Sequence, residues 1–68
     1  MFFIKVSGET YTLRTELRRL NFWWNSSQRL WECEVESITD KVLLIQKVED
    51  EAKRAGVLDF IDIETTED

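Results

Sequence analysis

Gly8-Glu9-Thr10-Tyr11-Thr12-Leu13-Arg14, Leu17-Arg18-Arg19-Leu20, Asn21-Phe22-Trp23-Trp24-Asn25 and Arg29-Leu30-Trp31-Glu32-Cys33-Glu34-Val35 read in order as a turn, a short helix and two strand-like runs. Leu13, Leu17 and Leu20 fall at i, i+4 and i+7, the apolar stripe of a short helix. Thr12 is the expected N-cap and Glu16 sits in the first turn, where the helix dipole favours an acid. Asn21 stands where a left-handed C-terminal cap belongs. Arg14 and Arg18, four apart, make a second stripe with Arg19 beside it. Next, Phe22-Trp23-Trp24 and the run from Leu30 to Glu36 flank Asn25-Ser26-Ser27-Gln28-Arg29, so a β-hairpin with a loop of about five residues is expected. The second arm alternates, with Trp31, Cys33 and Val35 inward and Glu32, Glu34 and Glu36 outward.

Upstream, Phe2-Phe3-Ile4-Lys5-Val6 is a first strand with Phe2, Ile4 and Val6 on one face and Phe3 and Lys5 on the other, and Ser7-Gly8-Glu9 turns the chain. Downstream, Ser37-Ile38-Thr39-Asp40 resembles a capping box with Asp in place of Glu. Ile38, Val42, Ile45, Val48, Ala52 and Ala55 then recur at spacings of three and four, Leu44 widens the stripe, and Gly56 follows as a C′ residue. This predicts a long amphipathic helix over 38–55. Residues 57–63 form a last strand candidate, and residues 64–68 an acidic tail expected to fray, leaving one domain over 1–63. The order is β-α-β-β-α-β. Its simplest packing is an α+β two-layer sandwich of the ferredoxin-like kind, a mostly antiparallel sheet with both helices on one face, although the last strand could instead cap an edge.

Sixty-eight residues make a small domain, of a size at which one core supplies only about 3–5 kcal/mol. At 43% apolar and 34% charged residues, with no proline, the composition is globular rather than disordered. No apolar run approaches a membrane span of about 20 residues, and Met1-Phe2-Phe3-Ile4-Lys5 lacks a signal peptide's charged lead and long apolar core. A cytoplasmic, reducing setting without membrane contact is therefore expected, in keeping with the single Cys33. The net charge of −5 is unevenly spread: residues 1–31 hold five bases and two acids, whereas residues 32–68 hold four bases and twelve acids. A basic face and an acidic face follow, either with different partners or with the acidic one serving only for solubility.

Enzymatic chemistry lacks its inventory here. There is no histidine, no glycine-rich phosphate loop and no metal-ligand spacing, so no catalysis and no cofactor are expected. Glu32, Glu34 and Glu36 read as the solvated side of a strand, and Cys33 as a small core residue. The tryptophans divide by face: Trp24 and Trp31 point with Phe22 and Cys33 toward the helices, where at least two of the three should be core. Trp23 alternates to the open side of the sheet with Phe3 and Lys5, a setting suited to stacking single-stranded nucleic acid or to the centre of a protein interface.

The residues Ser7-Gly8-Glu9-Thr10-Tyr11, Leu13-Arg14, Leu17-Arg18, Leu20-Asn21-Phe22, Trp24-Asn25, Arg29 and Trp31 resemble a small module of phage, plasmid and helicase-associated proteins. Its pattern is a strand ending in G-x-T-Y, a helix K-x-x-L-K-x-L, then G-G-R-W-D/N, a short loop and K-x-W. More distantly, the chain is similar to the HARP domain of annealing helicases and the amino-terminal domain of the phage helicase UvsW. The resemblance covers residues 2–36 and implies a nucleic-acid-processing context, with Lys5, Arg14, Arg18 and Arg29 as contacts. Asn21-Phe22-Trp23 stands where the module has Gly-Gly-Arg, so Trp23 is a departure that could serve as a stacking residue.

The leading expectation is a non-catalytic accessory module for single-stranded or junction DNA, acting in replication, repair or helicase function. Lys5, Arg14, Arg18, Arg19 and Arg29 would form one basic surface, joined by Trp23. Its alternative is a protein–protein adaptor or homodimer using Phe3 and Trp23 on the open sheet face and the acidic half to dock on a basic partner, with a DNA-processing protein among its partners, and a third reading is an acidic mimic of DNA.

Overall fold

Ile4 and Val6, two residues apart on the strand β1 (Phe2–Gly8), are both fully buried and define the inner face of the sheet. Burying side chains of this size contributes about 1.5–3 kcal/mol each, so the helices follow that face. The computed structural model describes residues 1–67. They form one four-stranded antiparallel sheet built from β1, β2 (Trp23–Asn25), β3 (Leu30–Val35) and β4 (Ile61–Glu67), in the order β2-β3-β1-β4. With α1 (Arg14–Arg19) and α2 (Ile38–Ala55) the chain order is β-α-β-β-α-β, the split β-α-β arrangement expected from the sequence. Leu13, Leu17, Phe22, Trp31, Cys33, Val48 and Ala52 complete the core around Ile4 and Val6.

α1 begins differently from the expectation. Tyr11–Leu13 form a 3-10 turn, with Leu13 N–H donating to the Thr10 carbonyl at 2.9 Å, so Leu13 rather than Thr12 precedes the α-helical residues and no side chain caps them. Its far end is as expected: Asn21 takes φ 71°, its N–H bonds to Arg18 O at 3.0 Å, and Phe22 N–H reaches Leu17 O at 2.9 Å. These two bonds are the Schellman pattern, and they pin Phe22 over Leu17. α2 closes in the same way at Gly56, φ 75°, with Gly56 N–H on Lys53 O and Val57 N–H on Ala52 O. At its start Ser37 Oγ accepts from Asp40 N–H at 3.0 Å.

The apolar stripe of α2 is buried only in its second half. Val48 and Ala52 are buried, whereas Ile38 and Val42 are exposed, although Lys41 in the first turn lies 4.6 Å over the Phe2 ring. The tryptophans also depart from expectation. Trp31 alone is buried, while Trp23 and Trp24 are 46% and 47% exposed. Their facing is as expected, since Trp24 pairs with Trp31 and Trp23 with Glu32, but β2 is a three-residue edge strand and the six-residue α1 does not cover Trp24. The segment from Glu64 does not fray within the described residues: β4 pairs with β1 as far as Phe2 opposite Glu67. Asp68 of that expected tail lies outside the described residues.

Candidate nucleic-acid interface

The exposed half of Trp24 opens into a cleft of about 400 Å³ lined by Gly8, Thr10, Tyr11, Arg14, Arg18, Trp24 and Trp31. Its walls come from the entry to α1 on one side and the β2–β3 pair on the other. Arg14 lies over the Tyr11 ring, its guanidinium carbon 4.0 Å from the ring centroid, and donates to the Tyr11 carbonyl oxygen at 2.8 Å. Arg18 lies 5.6 Å above the Trp31 ring, and Trp24 meets Trp31 edge-on with centroids 5.5 Å apart. Each arginine thus rests on an aromatic face, which orders the guanidinium, and the Tyr11 carbonyl takes only one of the donors of Arg14.

No acid lines this cleft, and among the described residues the one ion pair is Arg54 with Glu51 on α2. A larger groove, about 560 Å³, lies between the end of α1, β3 and the first half of α2, but Arg19 and Lys47 share it with Glu36 and Asp40. Mixed charge there leaves no net pull on an anion. The smaller cleft has the only uncompensated pair of cations beside exposed rings among the described cavities.

The five bases expected to form one surface, and the Trp23 expected beside them, are divided. Arg14 and Arg18 meet in the cleft. Arg19 turns into the gap between α1 and α2, beside Glu16, Asp50 and Glu51. Arg29 occupies the hairpin loop with φ 56°, outside the cleft's lining. Lys5 is on the opposite side of the sheet, because its neighbours Ile4 and Val6 point inward, and it stands between Glu32 and Glu64. Trp23 shares that open face. The five bases therefore do not form one contiguous surface. Two contributors escaped sequence reasoning: Tyr11, 73% exposed, and Trp24, assigned to the core. The i, i+3 spacing of Tyr11 and Arg14 was the available signal for the first.

The hairpin loop that carries Arg29 has four residues between the strands rather than five, since Asn25 joins β2 opposite Leu30. Asn25 Oδ1 accepts from Gln28 N–H at 3.1 Å and its amide donates to Glu32 Oε1 at 3.2 Å, fixing both ends of the turn. Cys33 is buried, and burial pushes its thiol above the ordinary range, with the Glu34 charge adding to the rise against a backbone hydrogen bond that lowers it. A protonated, enclosed thiol is a poor nucleophile. No protein-family model, curated protein or solved structure matches this chain.

Proposed function

We propose that this chain is a non-catalytic nucleic-acid-binding module, for single-stranded or junction DNA, that holds phosphate between Arg14 and Arg18 and a base against Trp24. The observation that carries the reading is the acid-free cleft in which two guanidinium groups lie over Tyr11 and Trp31 beside the exposed Trp24 ring. Phosphate needs charge-assisted donors, and a base needs an open π-face; this cleft offers both within one side chain's reach. An unpaired base is required because a stacked duplex hides its faces, and six residues of α1 make too short a helix to read a major groove. The resemblance of residues 2–36 to helicase-associated modules points the same way and suggests a replication, repair or helicase context.

Two arginines supply few phosphate contacts, so binding is weak, micromolar or weaker at physiological salt, with a salt slope of about −0.7 per contact on single strands. The test is a titration with single-stranded, forked and duplex DNA at low and moderate salt. Single-stranded or forked DNA should bind better than duplex, and Arg14→Ala with Arg18→Ala should reduce both affinity and slope while the fold persists, as neither side chain is in the core. Absence of binding at low salt, or an unaffected double variant, overturns the reading.

A further inference from the structure

We propose that the open face of the sheet is a docking surface for a cationic segment of a partner protein. The face is uncovered, since both helices pack on the side of Ile4 and Val6. Strand register places Trp23, Glu32, Lys5 and Glu64 in one row across it, with Glu34, Phe3 and Thr66 in the next and Asp62 opposite Ser7. Four carboxylates therefore share the face with one ammonium group. Lys5 stands between Glu32 and Glu64 without an ion pair among the described residues, and Glu32 accepts from the Asn25 amide, so acids outnumber bases on this face.

Trp23 at the edge of this field is 46% exposed. An exposed indole beside carboxylates suits an arginine or lysine: the ring accepts the cation on its face while neighbouring acids pair with it. The same features argue against other occupants. Nucleic acid would bring phosphate onto four carboxylates. A second copy packed face to face would oppose like charges, and Glu32 and Glu34 of β3 separate Trp23 from Phe3, so those two rings do not join in one apolar patch. The cleft of Arg14 and Arg18 belongs to the other side of the sheet, so the two surfaces can be engaged together or tested apart.

The probe is a short peptide alternating arginine and valine, titrated into the isotope-labelled protein and followed by NMR, with a glutamate–valine peptide as control. Shifts should centre on the Trp23 indole and on Phe3, Lys5, Glu32 and Glu64. Glu34→Gln with Glu64→Gln, both exposed, should weaken binding at least about tenfold. The equally large charge change Glu49→Gln with Asp50→Gln, at exposed positions of α2, should alter it less than about twofold. Equal losses from the two double variants would mean diffuse attraction to an acidic protein and overturn the proposal. So would the absence of binding, or a sedimentation dimer whose contacts map to this face.

Discussion

A methyl group placed on the Gly8 α-carbon would stand 2.4 Å from the Phe60 carbonyl oxygen. That oxygen accepts from Glu9 N–H at 3.0 Å, and Gly8 itself pairs with Ile61 at φ 96°. The end of β1 is thus drawn against the 3-10 turn Leu58–Phe60 that leads into β4, and no side chain fits between them. Gly8 also lines the cleft, so this contact sets one of its walls.

Gly8→Ala should destabilise the protein through both the left-handed backbone and the clash. The conformation alone costs about 1–3 kcal/mol for a residue with a Cβ. In a domain of this size each kcal/mol lowers Tm by roughly 4–8 °C. Thermal unfolding followed by circular dichroism should show a large fall or no folded baseline, and a Tm within about 2 °C of the parent would contradict the contact.

Cys33 should be nearly inert in the folded protein and reactive when unfolded. Its thiol is raised by burial, so between the unfolded value of about 8.5 and the folded one, the unfolded state loses its proton first. Stability from this group is complete below about pH 8.5 and declines as pH rises above it. Iodoacetamide should modify native protein at least about tenfold more slowly than protein in denaturant. The alkaline loss of stability should shrink in Cys33→Ala relative to the parent at neutral pH. Equal alkylation rates in native and denaturing buffer would show that Cys33 is not enclosed.

Periodicity made most of the architecture legible. The spacing from Ile38 to Ala55 marked α2 over its whole length, and Asn21 and Gly56 marked both left-handed helix ends. What the sequence hid was extent of cover. Alternation says which way Trp24 points but not that β2 ends before a helix can reach it, and spacing within α2 does not reveal that Ile38 and Val42 are left exposed. The site was harder still. Lys5 and Arg14 look equally basic in a list of charges, yet opposite sides of one sheet separate them, and only the register shows Lys5 between Glu32 and Glu64. Likewise β4 runs on to Glu67 because β1 offers it a full edge, something the acidic composition of residues 64–67 does not convey.

The two half-exposed tryptophans separate the two surfaces. Trp24 belongs to the cleft beside Arg18, whereas Trp23 lies on the open face opposite Glu32. A stacked base is worth about 1–3 kcal/mol by alanine substitution, so Trp24→Ala should weaken single-stranded DNA binding about 5- to 150-fold. Stacking releases no counterions, so the salt slope set by Arg14 and Arg18 should remain. Trp23→Ala should leave DNA binding within about twofold, because a phosphate chain on that face would meet Glu32, Glu34 and Glu64. Trp24 also touches Trp31, so Trp24→Phe serves as the packing control: it keeps a ring in the cleft and should recover part of the lost affinity. Fluorescence quenching by single-stranded DNA should persist in Trp23→Ala and fall in Trp24→Ala. If instead Trp23→Ala loses binding and Trp24→Ala keeps it, the bases stack on the open face and the cleft is not the DNA site.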